Sequence, residues 1–110
     1  MKHNQSFKRD NLLLEFIREH KGKCNAVKAK QIAQYLAEQG YPILERDVRH
    51  RVQKLIMERC VPICSASGNG AIHGFYWASS RNEIEETIAE FQSRINGLQE
   101  RIDALKSFIL

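Results

Sequence analysis

At 110 residues the chain is long enough for one domain with an appendage and a modest core. Hydrophobic residues make up 43% and charged residues 27%, as in an ordinary globular protein, and no apolar run approaches the roughly 20 residues of a membrane span. The formal charge of +4 is unevenly placed: residues 1–80 hold 13 Lys/Arg against 7 Asp/Glu, whereas residues 81–110 hold 4 against 6, which points to a polyanionic partner for the first segment alone.

The opening MKHNQSFKRD lacks the apolar segment of a signal peptide, so the expected location is the cytoplasm. Residues 7–20 (FKRDNLLLEFIREH) place Leu13, Phe16 and Ile17 at helical spacing, with Leu12 or Leu14 at the margin. This predicts a first helix capped by Ser6 and stopped near Gly22. KGKCNAV is read as a short loop running into a one-bridge strand at Ala26–Val27. Residues 29–39 (AKQIAQYLAEQ) predict a second helix with Ile32, Ala33, Leu36 and Ala37 inward and Gly40 closing it. Pro42 disfavours helix at Tyr41 and breaks the chain for about four residues.

The next segment, LERDVRHRVQKLIMER (44–59), combines an apolar beat with a dense set of cations. Val48, Val52, Leu55 and Ile56 define a buried stripe, and at about 100° per residue the opposite face shows Arg46, His50 and Gln53 with Arg49 beside them. Side chains of this kind reach base edges or phosphates in a DNA groove, and no acid stands at the centre of that face. The period then falls from 3.6 to 2. VPICSA (61–66) and IHGFYWA (72–78) are rich in strand formers and bracket SGNGA, whose Gly68, Asn69 and Gly70 tolerate positive φ, so a β-hairpin is expected. Helix, helix, short break, helix and hairpin within eighty residues is the layout of a winged helix-turn-helix domain. The fold class is therefore α+β, mainly α.

From residue 81 the apolar positions Ile84, Ile88, Phe91, Ile95, Leu98, Ile102, Leu105 and Ile109 alternate spacings of four and three without a fault. With Ile84, Phe91, Leu98 and Leu105 at d, the a positions are all isoleucine, a pattern that favours a two-stranded parallel coiled coil. Asn82 is the expected N-cap, and Glu83, Glu85 and Glu86 suit a helix start. The flanking charges leave orientation open, because the g residues Arg94 and Arg101 would face Gln99 and Lys106 of a parallel partner. Residues 1–80 thus read as a winged helix-turn-helix domain and 81–110 as a coiled-coil oligomerisation helix. The partners expected are double-stranded DNA and a second copy of the chain, with a higher oligomer open and no membrane.

Cys24, Cys60 and Cys64 have no CxxC spacing and read as reduced, mostly buried small hydrophobes. A zinc site of Cys60, Cys64 and His73 would lack a usual ligand spacing. A cysteine nucleophile with His73 or His20 as base would lack an orienting third group. No metal, cofactor or catalytic residue is expected, and binding rather than catalysis is the activity.

NAVKAKQIAQYL, RDVRHRVQKL and VPICSASGNGAIHGFYWA resemble the small winged-helix proteins of phages and integrated mobile elements, over about residues 12–80. In that group an arginine-x-valine-arginine recognition helix precedes glycine-x-proline-isoleucine and a hairpin ending in aromatic residues. The resemblance implies a phage-type or bacterial transcriptional regulator that reads DNA sequence as a dimer. A replication or DNA-packaging accessory, similar to a small terminase subunit, and a winged-helix adaptor that binds protein instead of DNA are the alternatives. Two departures stand out. Cys60 occupies the glycine position, and residues 60–80 contain no Lys or Arg. Such a wing offers phosphate only backbone N–H groups, Ser65, Ser67, Asn69 and His73. Backbone contacts are accordingly expected from Lys28 and Lys30 at the start of the second helix, where free N–H groups also favour an anion, with Arg9, Lys21 and Lys23 as accessories.

Overall fold

In the computed structural model, which describes residues 2–66 and 74–109, the chain is α+β and mainly helical. It runs α1 (Lys2–Arg18), a single 3₁₀ turn (Lys23–Asn25), α2 (Ala29–Glu38), α3 (Glu45–Arg59), β1 (Ile63–Ala66), β2 (Gly74–Trp77) and α4 (Arg81–Lys106). α1 begins upstream of residue 7, so Ser6 is an exposed residue within the helix and not its cap. No Gly or Pro precedes Gly22, so nothing in the sequence interrupts the helical ladder there.

Three helical stripes meet in one core. Leu13 and Ile17 of α1, Ile32 and Leu36 of α2, and Val48, Val52 and Leu55 of α3 are all fully buried, as side chains three and four apart on one helix face must be when that face packs. Phe16, Ala33 and Ile56 lie at its margin. Ala37, expected inward, is exposed because it stands one residue past Leu36 and so turns about 100° off the stripe. α2 ends in a Schellman turn: Tyr41 N–H donates to the Leu36 carbonyl at 2.8 Å and Gly40 N–H to Ala37 at 3.0 Å, with Gly40 at φ +91°. This turn and Pro42 set the angle at which α3 leaves α2.

A charge pair ties α3 to α1. Asp10 is buried and accepts from Arg51 Nε at 3.1 Å and Nη2 at 2.7 Å, while Arg51 Nη2 also reaches Glu58 at 3.2 Å. The bond to Asp10, more than any other contact, raises the Arg51 guanidinium further above its ordinary value.

β1 pairs antiparallel with β2, Ile63 opposite Trp77 and Ala66 opposite Gly74. The other edge of β2 is also used. Val27 and Phe75 exchange two backbone hydrogen bonds of 2.8 Å, so the expected bridge forms at Val27. The approach is so close at Gly74 that a Cβ there would stand 2.4 Å from the Val27 carbonyl oxygen. The strands are shorter than 61–66 and 72–78, and the expected SGNGA turn lies outside the described residues. Ile63, Phe75 and Trp77 pack on the main core, whereas Cys64, Ala66 and Tyr76 form a second small cluster on the opposite face. Burial pushes the Tyr76 phenol up to about 12.

α4 lies over that second face. Its N-cap is Ser80 and not Asn82: Ser80 Oγ accepts from Glu83 N–H at 3.3 Å. Glu83 then fastens the helix to the body. Its Oε1 accepts from the N–H and the hydroxyl of Ser79 at 2.7 and 2.8 Å, and its Oε2 from Lys23 N–H at 2.8 Å. These bonds, the one from Ser79 N–H foremost, hold the Glu83 carboxyl below its usual value. Thr87 is the buried residue of α4. The seam stays open: Ile88, Ile95 and Leu105 are 59%, 57% and 68% exposed. Ile109 falls beyond the helix, in a turn after Lys106, so the last expected seam position is not α-helical. Of the cysteines only Cys64 is buried, since Cys24 and Cys60 are exposed. No helix among the described residues is long and apolar enough to cross a membrane.

Candidate nucleic-acid interface

The basic stretch of α3 divides by direction. Arg51 points to α1, as described, and Arg59 Nη1 bonds Asn11 Oδ1 at 2.7 Å while its guanidinium lies 5.0 Å from the Phe7 ring centre. Those two arginines hold the fold. Arg46, Arg49, His50 and Gln53 are exposed, on the side away from Val48, Val52 and Leu55. Arg49 Nη2 contacts Glu45 Oε1 at 3.3 Å, an exposed pair one turn apart. Such pairs are weak and yield readily to a better ligand.

Lys28 and Lys30 are exposed at the start of α2. Gln31 Oε1 accepts the Lys28 N–H at 2.9 Å, so the Gln31 side chain performs one half of a capping box. The Lys28 side chain takes no part, since an ammonium has no acceptor. Between this helix start, α3, the hairpin and α4 lies a groove of about 600 Å³. It gathers four of the six expected DNA-binding side chains, Lys28, Lys30, Arg49 and Gln53. The other two lie off it. Arg46 shares a shallow depression with Leu44, Glu45 and Arg49, next along α3. His50 faces another, with Arg9, Asp47 and Arg51. Of the accessories, Arg9 thus joins His50, Lys21 stands with Glu15, Arg18 and Glu19 near the end of α1, and Lys23 gives its backbone N–H to Glu83.

One groove residue escapes the sequence reading. Arg94 of α4 lines the same groove, although the heptad places it only beside the coiled-coil seam. The available signal is the short Ala78–Ser80 connection: with three residues between strand and helix, the first turns of α4 must lie back along the hairpin. Glu83, Thr87, Glu90 and Arg94 then share the face turned toward it. Among the described residues no group of three or more His, Cys, Asp or Glu side chains is placed to hold a metal ion, and His73 lies outside them.

Four cations converge on the groove against a single acid, Glu45, which already touches Arg49. The arrangement can accept the phosphates of an anionic polymer while Gln53 presents an amide able to donate and accept at once. No protein-family model matches the chain, and a search of curated proteins finds no significant relative.

Proposed function

We propose that the chain is a winged helix-turn-helix protein that binds double-stranded DNA with sequence preference as a homodimer, and that it serves as a transcriptional regulator of the phage or bacterial type. The observation that carries this reading is the groove, in which α2, α3 and α4 supply Lys28, Lys30, Arg49, Gln53 and Arg94 to one concave surface. In this reading α3 is the recognition helix, Arg46, Arg49, His50 and Gln53 face the bases, and Lys28 and Lys30 set register on the backbone. The Schellman turn and Pro42 fit the helix-turn-helix crossing, and β1–β2 is the wing.

Self-association is supported by α4. Its polar stripe is turned toward the hairpin, so the apolar seam is left for a second copy. Isoleucine at every a position, with leucine at two of the four d positions, suits two strands.

The test is a fluorescence titration of the full chain with random-sequence duplex across salt concentrations, followed by selection from a random pool and sedimentation of the free protein. Binding that weakens steeply with salt, an enriched sequence and a dimer are expected. A ring-sized oligomer without sequence preference would move the reading to a replication or packaging accessory. No binding at low salt would move it to a protein adaptor.

A further inference from the structure

The hairpin has no cation from Cys60 to Ser80. The hairpin side of the groove therefore cannot hold a phosphate through its own charge. α4 passes along this side, and Arg94 is the residue it delivers there. The guanidinium is restrained by its own helix: Nη2 contacts Glu90 Oε1 at 3.3 Å and the guanidinium carbon lies 5.7 Å from the Phe91 ring centre. Both are contacts within a turn of α4, and the bond to Glu90 engages Nη2 alone, so they restrain the side chain and leave most of its five donors for a ligand. Lys28 and Lys30 of α2 and Arg49 of α3 line the same groove. A planar guanidinium in this setting suits two oxygens of one phosphodiester group.

We propose that Arg94 is a DNA-backbone ligand supplied by the tail helix, taking the phosphate that a basic wing would otherwise grip. The proposal rests on the reading of the chain as a DNA-binding protein. It gives α4 a second task beside association, on the stripe that adjoins the seam at Phe91. Arg94 sits on the stripe toward the hairpin, and Ile95, one residue on, belongs to the seam.

Arg101 provides the control. It is a g residue like Arg94, one heptad further along, about 10.5 Å beyond it, and it does not line the groove. The experiment compares the full-length wild type, Arg94→Gln, Arg94→Lys and Arg101→Gln. Each is titrated against a labelled random-sequence duplex and a preferred duplex at several salt concentrations, with sedimentation of each free protein. Arg94→Gln should weaken both duplexes by the same factor and reduce the slope of log affinity against log salt by about 0.9, the value for one lost phosphate contact. Arg94→Lys should restore the slope, and Arg101→Gln should behave as wild type. An unchanged slope in Arg94→Gln overturns the proposal, as does an equal reduction in Arg101→Gln. A shift to monomer in Arg94→Gln also overturns it, by placing the charge at the seam. If wild type binds no duplex at low salt, the DNA-binding reading fails and Arg94 loses its ligand with it. If wild type binds and only the Arg94 result fails, the DNA-binding reading stands.

Discussion

Cys60 ends α3 in the left-handed region, at φ 52° and ψ 49°, where an L-residue costs about 1–2 kcal/mol. Its side chain is exposed and makes only a weak sulfur contact with the Met57 carbonyl at 3.8 Å, so little packing offsets the strain. Cys60→Gly should therefore raise stability by about 0.5–1 kcal/mol, the relief of strain less the extra freedom glycine gives the unfolded chain. Chemical denaturation of both proteins measures it, and a destabilised variant would show that the thiol contributes more than its contacts indicate. At the same scale, Arg46 and Gln53 carry the sequence information in the proposed function. Replacing either with Ala should cost about 1–3 kcal/mol on the preferred duplex, whereas Lys28→Ala or Lys30→Ala should weaken all duplexes alike. Equal losses on preferred and random DNA for Arg46→Ala would assign it to the backbone. The sequence separates these arginines from Arg51 only in part. The helical wheel puts Arg46 and Arg49 outward, but the capture of Arg51 by Asp10 depends on how α1 crosses α3, which no local pattern encodes.

Among the elements, α2, α3 and the open stripe of α4 are legible because helical periodicity is a local signal that tertiary packing here reinforces. What the sequence does not settle is decided by distant partners. Ser80 and Asn82 are both good N-caps, and the choice falls to Ser80 because Glu83 must reach back to Ser79 and to Lys23 N–H, sixty residues away in sequence. Gly74 reads as an ordinary strand glycine until Val27 is seen against it. The Glu83 clasp also makes attachment of α4 depend on pH. Its carboxyl is held below the ordinary range by the bonds from Ser79 and Lys23. Folding therefore gains from the ionised form at neutral pH, and the gain disappears as pH falls through that depressed value. Glu83→Gln should be less stable than wild type by about 1–2 kcal/mol at neutral pH, with the two stabilities converging in acid. Urea unfolding across pH tests this, and a difference that persists in acid would mean the loss is one of shape rather than charge.

For the whole molecule, the 53 Å long axis exceeds what the three-helix core needs because α4, 26 residues or about 39 Å, runs on past the hairpin. A cut after Ser80 would uncover Cys64 and Tyr76, so it would confuse unfolding with dissociation. A cut after Arg94 keeps Glu83, Thr87 and Arg94 but leaves only Ile84, Ile88 and Phe91 of the seam. Under the proposed function, that truncation, and the full chain with Ile95→Asp plus Leu98→Asp, should remain folded, sediment as monomers and bind DNA far more weakly, because a monomer would no longer engage two linked half-sites together. A dimer in either case would place the interface on the body. The two stripes of α4, one toward the hairpin and the other open one residue later, also make the helix a keyed shaft. No swivel separates the head from the region that would engage a second copy, so the angle between two heads is set by the phase of a single helix. One residue inserted after Arg94 would turn the distal seam by about 100° relative to the head, whereas a whole heptad would bring it back nearly into phase. Under the proposed function, the spacing of the two half-sites would then be written into the numbering of the tail as much as into the side chains of α3.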